Sequence, residues 1–371
     1  MNFDFSDEQK FLKDEARKVL AAQCTSAVTR GVLDNDARPF DRALWRAVAE
    51  LGWTGVAIPE AYGGTGLGPV ELCAIAEELG RVVAPIPFAS TVYVLAEAIM
   101  AFGTEAQKTA LLPGIARGEV IGCLATSEGP GFTAAETVTA TVADGLLTGV
   151  KMPVTDGDVA THAIVLARGD AGPGVYLVDL SGDGVTRETL PTLDPTRSAA
   201  RLTFAGTRCE PLGAPGDGAV TLSAILDRAA VLLAFEQVGG SDRCLEMARA
   251  YALERFAFGR VIASYQAIKH KLADIYVKTE IARSNAYYGA WALAAHAPEL
   301  PEAAAAARIA GTAAYDFAAK ENVQTHGGMG FTWDVDCHLH LRRARQLALV
   351  LGAPPVWRER LVRRLELRNA A

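Results

Sequence analysis

The six cysteines of the 371-residue chain are scattered: Cys24, Cys73, Cys123, Cys209, Cys244 and Cys337 form no CxxC pair and no close disulfide framework. Reduced, mostly buried thiols are therefore expected. No uninterrupted apolar run of about 18 residues argues for a membrane span. The acidic start Met-Asn-Phe-Asp-Phe-Ser-Asp-Glu has neither the basic region nor the apolar stretch of a secretory signal, so a cytoplasmic location is expected. Positive charge is in deficit too. A net charge of -7 disfavours nucleic acid or an anionic membrane as a bulk partner, so any polyanionic ligand must be gripped locally by placed arginines and helix N-termini. What the chain has in quantity is apolar residues, 50% against 21% charged, enough for a sizeable core.

From Ser6, a residue suited to cap a helix, to about Arg117 the apolar spacing is helical, broken around Pro59 to Pro69 and at Pro85-Ile-Pro87. From Glu119 to about Gly216 the texture turns to Thr, Val and Gly. Short alternations at 137–142, 163–167 and 175–178 are separated by turn signals at Ala143-Asp-Gly145 and Ser181-Gly-Asp-Gly184. Long Ala-rich helices are then expected from Ala219 to Glu254, Ser264 to about Ala297 and Pro301 to His326, suited to close packing in a four-helix bundle. The expected divisions are 1–118 helical, 119–216 a small antiparallel β barrel or sandwich, and 217–371 the bundle: a mainly α chain with a central β domain.

The most specific chemistry sits between the first two bundle helices. In Arg255-Phe-Ala-Phe258-Gly259, followed by Gln266, a planar donor fork precedes a glycine that permits a sharp turn and a Gln that both donates and accepts. This order resembles the Arg-x-x-Phe-Gly turn and Gln of the acyl-CoA dehydrogenase family. Residues 44–64, Glu77-Glu-Leu-Gly80-Arg and Gln324-Thr-His-Gly327-Gly328 resemble three more landmarks, in family order over nearly the whole chain. The resemblance implies a three-domain fold and FAD as cofactor. It also implies that Arg255, Phe258, Gln266, Gln324, Gly327 and Gly328 clamp the ADP part of a flavin held mainly by a neighbouring chain.

Two departures from the family pattern carry the functional reading. The ring-binding Thr-Glu-Pro-x-x-Gly-Ser-Asp loop is replaced by Ala125-Thr126-Ser127-Glu128-Gly129-Pro130-Gly131-Phe132-Thr133, and the Lys-x-Trp-Ile-Thr strand by Lys151-Met152-Pro153-Val154-Thr155. Pro153 thus stands where an indole would cover the ring, which a pyrrolidine cannot do. Thr126, Ser127 and Thr155 can bond a flavin edge or serve as ordinary strand threonines and a turn serine. The catalytic carboxylate is missing as well. Of its two family positions, one falls on Leu351 and the other on Ala229. Asp227 is about 200° around the helix from Ala229, and Glu236, on the same face, lies roughly 10.5 Å along the axis, which leaves both as weak substitutes.

The resemblance accordingly implies a subunit of an FAD-dependent acyl-CoA dehydrogenase that completes the site of an unlike catalytic chain, in an α2β2 assembly acting on an acyl-CoA, with a bulky steroid-type thioester as one option. An electron-transfer flavoprotein or similar acceptor would take the electrons. A self-sufficient homo-oligomeric dehydrogenase with a relocated base is the alternative, and a flavin-free CoA-thioester scaffold a third. No metal site is expected, since Cys337-His338-Leu339-His340 does not gather on one helix face. Arg342, Arg343 and Arg345 are expected on a solvated or interface face.

Overall fold

The computed structural model describes residues 5–35 and 37–370. Its first helix, Asp7–Gln23, opens with a capping box in which Ser6 and Gln9 satisfy each other's backbone. Helix Pro69–Arg81, entered through Pro69, carries Glu77 and Glu78 fully inside the protein. Glu77 is held by Lys13 at 2.6 Å and by Arg283, and Glu78 takes a two-pronged bond from Arg17. Burial pushes the Glu77 carboxyl up, but the Lys13 and Arg283 charges outweigh it and leave it below its ordinary value. The Glu-Glu-Leu-Gly-Arg landmark is therefore a joint: its acids tie the first helix to the bundle, and Gly80 lets two helices touch.

That contact is reciprocal. A side chain at Gly80 would collide with the Glu236 carbonyl, and one at Gly239 with the Glu77 carbonyl, so helix Pro69–Arg81 lies backbone against backbone on the long helix Gly218–Glu254. The wide π-helical stretch Ala89–Ala96 follows, a geometry often found at functional sites.

Strands occupy the middle of the chain. They form one eight-stranded sheet in the order Val185–Leu190, Ala199–Arg208, Leu146–Thr155, Thr141–Ala143, His162–Gly169, Gly172–Asp179, Glu210–Pro211, with Gly122–Ala125 also paired to His162–Gly169. The sheet is mixed rather than antiparallel, because Gly122–Ala125 and Thr141–Ala143 both run parallel to His162–Gly169. The expected strand at 137–142 shrinks to Thr141–Ala143, preceded by a 3-10 turn at Ala135–Thr137. Asp144 and Gly145, both at positive φ, make the tight hairpin that the Asp-Gly signal announced.

Helices Gly218–Glu254, Gln266–Ala294 and Leu300–His326 pack on one another, and Cys337–Leu349 and Pro354–Ala370 close the bundle. Gly218–Glu254 is long and apolar enough to cross a bilayer by length and composition, although charged residues interrupt its apolar run. In the fold, 72% of its most apolar window is buried inside the protein. All six cysteines are free, and all but Cys209 are buried.

Gly239→Ala should lower the unfolding free energy by about 1–3 kcal/mol, the scale of overpacking, seen as a lower urea midpoint. An unchanged midpoint would mean that the two helices can separate without loss.

Candidate functional site

The Arg255 turn is a β-hairpin in miniature. Helix Gly218–Glu254 stops at Arg255, Phe256–Ala257 pairs with Arg260–Val261, and Phe258 and Gly259 form the tip with φ of 52° and 80°. Glycine adopts that conformation easily, whereas an aromatic residue rarely does, and such conformations concentrate at functional sites. The turn is braced: Tyr265 Oη donates to the Ala257 carbonyl at 2.9 Å, and the Arg260 guanidinium lies 4.1 Å from the Tyr265 ring centroid.

The second glycine turn sits at the same end of the bundle. His326, buried at the end of helix Leu300–His326, stacks on Tyr251 at 4.2 Å, one turn before Arg255, while its Nδ1 meets the Asn322 carbonyl at 2.8 Å. Lys271, near the start of the helix that Gln266 opens, pairs with Glu321 at 2.6 Å. Arg255, Phe258, Gln266, Gln324, Gly327 and Gly328 are thus held near one another, and all six are exposed. Phe258 is 95% exposed, with Phe256 and Phe331 also bare. This is an uncovered, partly apolar face carrying charged and amide donors.

A cavity of about 570 Å³ lies elsewhere, and none of those six residues lines it. Its wall draws on the π-helical stretch through Tyr93 and Val94, on the strands through Leu124, Pro153 and Thr155, on the loop after strand Gly122–Ala125 through Thr126 and Ser127, and on the long helix through Leu226, Ala229 and Leu233. The loop after helix Cys337–Leu349 closes it with Val350, Leu351 and Gly352. Both positions of the missing base, Ala229 and Leu351, therefore open on the same space. Among the described residues no Asp, Glu or His is in the wall, whose charged groups are Arg197 and Arg345.

That loop is fixed from behind. Arg308, fully buried, donates to Thr312 Oγ1 and to the Leu347 and Val350 carbonyls, and burial lowers its pKa to about 9. Trp357 Nε1 donates to the Leu351 carbonyl at 3.0 Å, which holds Leu351 at a φ of 62°.

Neither substitute carboxylate reaches the cavity. Asp227 is taken by Arg360 at 2.8 Å and Arg364 at 2.6 Å. Glu236 accepts from Arg197 at 2.6 Å and from Arg343 at 3.3 Å. Arg343, expected at the surface, is wholly buried: besides Glu236 it binds Asp194 at 2.7 Å and Thr196 Oγ1 at 2.7 Å. Sequence reading missed it because nothing in an arginine-rich helix marks which member turns inward. Arg342 and Arg345 do stay at least partly exposed. Among the described residues no three potential ligands gather for a metal; His340 is buried against Tyr315 Oη, and burial lowers its pKa to about 3.

Two family models match, acyl-CoA dehydrogenase N-terminal domain over residues 6–119 and acyl-CoA dehydrogenase C-terminal domain over residues 216–366. The chain is 33% identical to acyl-CoA dehydrogenase IpdE2 of Mycobacterium tuberculosis over 97% of its own length and 96% of that protein's. It belongs to the acyl-CoA dehydrogenase family. A variant of the Tcur3481-Tcur3483 steroid ACAD superposes with a TM-score of 0.90 at 32% identity, covering 98% of this chain and 99% of that one. The ChsE4-ChsE5 complex from Mycobacterium tuberculosis does so with 0.89 at 27% identity, covering 99% of each. The three-part architecture is the family's, and the family's cofactor is FAD.

Against that cofactor the residues divide. The exposed turn set suits an adenine and pyrophosphate: a guanidinium, two amides and backbone opened by glycines. The cavity suits the flavin ring poorly. Thr126, Ser127 and Thr155 bring hydroxyls to its wall, but Pro153 gives no stacking platform. Glu128, beside them, is committed to its own loop: it accepts from Lys151 Nζ at 2.7 Å and from the Thr139 and Ala140 amides at 2.8 Å. Burial opposes ionisation, yet the Lys151 and backbone bonds win and bring its pKa to about 2.

The depressed Glu128 has a consequence in acid. Its folded pKa lies below the ordinary 4.5, so its stabilisation is full above that value and disappears as pH falls toward 2. Glu128→Gln should be less stable than the parent at pH 7, with the gap in urea midpoint closing through that window. A gap that stays constant would show that the carboxylate charge is not what holds the loop.

Proposed function

We propose that this chain is the non-abstracting subunit of an FAD-dependent acyl-CoA dehydrogenase, and that it completes a flavin site belonging to an unlike catalytic chain. One observation carries the reading: both places from which a family base would reach the substrate open on one cavity, and that cavity has no carboxylate in its wall among the described residues. Leucine and alanine have no lone pair to take a proton. The retained turn set, on a different and uncovered face, favours use in trans.

In this reading Arg255 gives two parallel donors to the pyrophosphate of a flavin seated mainly in the partner. Gln266 and Gln324 meet the adenosine portion, the glycines let backbone approach, and Phe258 extends from its hairpin against the neighbour. FAD, when bound, supplies the acceptor for the hydride leaving the β carbon. The α proton goes to a carboxylate of the partner, and an external carrier such as an electron-transfer flavoprotein takes the electrons onward. Relatives named as a steroid ACAD and as a two-chain complex support a bulky ring-bearing thioester and an α2β2 assembly.

A self-sufficient homo-oligomer is the second reading, favoured by the survival of the cavity itself with three hydroxyls on its strand side. Flavin content separates the two. The purified single chain should carry little FAD by absorbance, and co-expression with a catalytic acyl-CoA dehydrogenase chain should yield a yellow unlike-subunit complex; near-stoichiometric flavin in the single chain would sink the proposal. Arg255→Ala should then deplete flavin from the complex, because it removes a charge-assisted contact. Full occupancy in that variant would reduce the hairpin to a structural turn.

A further inference from the structure

A second cavity, of about 310 Å³, lies among helices Asp7–Gln23, Ser26–Leu33, Pro69–Arg81, Gly218–Glu254 and Cys337–Leu349, and it shares no wall residue with the first. Its wall carries Arg17, Arg81 and Arg243 together with Glu78 and Asp336. With the partners just behind them, Glu246 on Arg81 and Arg243 and Arg30 on Asp336, four guanidiniums face three carboxylates. Arg17 takes Glu78 in a two-pronged bond and Arg30 takes Asp336 at 2.8 Å, so the excess positive charge rests on Arg81 and Arg243. Each of these hydrogen-bonds Glu246 through a single nitrogen, which leaves the other terminal nitrogen of each fork unbonded among the described residues. Two helix C-termini and two N-termini also end at this wall. Their dipoles offset one another, and the side-chain charges decide.

His340 adds a donor from within. Only 4% exposed, it lines this cavity, and its Nδ1 lies 3.0 Å from Tyr315 Oη. Burial raises the Tyr315 pKa well above its ordinary value, so the phenol keeps its proton. The arrangement that leaves no buried phenol proton unmet has Tyr315 donating to Nδ1, which puts the ring proton on Nε2. Among the described residues Nε2 has no hydrogen-bond partner. Burial, with the Arg243, Arg343 and Arg81 charges behind it, keeps the ring neutral: a neutral N–H donor in a positive field. At the same wall Thr25 makes no side-chain cap on helix Ser26–Leu33, so the first-turn amides of that helix are unanswered too.

We propose that this second cavity binds a small phosphate-type oxyanion, held by the free edges of Arg81 and Arg243, the His340 Nε2–H and the first-turn amides of Ser26–Leu33. The donor set decides the class. Guanidinium forks and helix amides suit the several oxygens of a phosphate, and a cation would find both wall carboxylates already taken by Arg17 and Arg30. The volume leaves room beyond one phosphate group and meets the lower end of the small-molecule range, with Leu20, Val83 and Leu339 in the wall. Free phosphate and a phosphate ester are therefore the two sources of the one chemistry.

The experiment is calorimetric titration of the full chain with inorganic phosphate, AMP and acetate, at an ionic strength held constant with chloride. Phosphate or AMP should bind with one-to-one saturation, and Arg243→Gln, a change at an exposed position, should weaken that binding about tenfold, the scale of one charge-assisted hydrogen bond. The titrations are repeated in Arg255→Ala, which removes the hairpin as a rival anion site and should leave this binding in place. In parallel, the His340 Nε2–H resonance should shift with occupancy. AMP bound more tightly than phosphate, with the same dependence on Arg243, makes the ligand a phosphate ester; phosphate bound and AMP refused makes it the free ion. No saturation by either, an affinity indifferent to Arg243→Gln, loss of binding in Arg255→Ala, a His340 resonance that stays fixed at saturation, or acetate binding as well as phosphate would each overturn the proposal.

Discussion

Everything in this fold meets at a buried charge cluster around Arg343. Its guanidinium binds Asp194 at 2.7 Å and Glu236 at 3.3 Å, with the Ala84 carbonyl at 3.4 Å. Those partners come from the strand region, the long bundle helix and the N-terminal helices, so one side chain pins three segments together. Arg197 completes the cluster from the strand side through Glu236. Charges this deep are tolerated only when paired, and removing one partner leaves the other stranded at a cost of about 3–5 kcal/mol. The cluster therefore fixes how the helices and strands close on each other, and with them the cavity at their junction. It also explains why Glu236 is no base: its carboxylate is taken by Arg197 and Arg343 and is not part of the cavity wall.

Much of this was legible in the sequence because the signals were local. The Ser6 cap, the Asp144-Gly145 hairpin and the Ala-rich bundle helices are written in neighbouring residues. Counting along the chain from the family landmarks was enough to name Ala229 and Leu351, which the fold brings to one cavity from distant segments. The turn residues were likewise named from spacing, and the fold assembles them on one exposed end. What the sequence concealed was non-local. The parallel pairings of Gly122–Ala125 and Thr141–Ala143 with His162–Gly169 depend on chain crossings that alternation cannot report. Arg343 looks like its neighbours Arg342 and Arg345 until tertiary packing turns it inward, and Arg308 gives no hint in an alanine-rich helix that it holds the cavity loop.

The functional division follows from the same geometry. A proton can be drawn from the carbon beside a thioester only by a group held against that carbon, and the loop that would present it is rigid: Arg308 and Trp357 hold its carbonyls, and Leu351 is what it presents. The turn set around Arg255, by contrast, is intact and uncovered. The proposed pairing rests on this contrast between outward-facing flavin-type donors and a cavity wall with no carboxylate among the described residues.

Whether this cavity can abstract an α proton is measured most directly by exchange of α hydrogen for deuterium. Saturated acyl-CoA thioesters of differing bulk would be incubated in D2O with the FAD-supplemented chain and followed by mass spectrometry. A base-free cavity gives no exchange above the enzyme-free rate for the chain alone, and exchange once a catalytic partner chain is present. Mass gain with the chain alone, abolished by Glu236→Gln or Asp227→Asn, would show instead that the chain carries its own base.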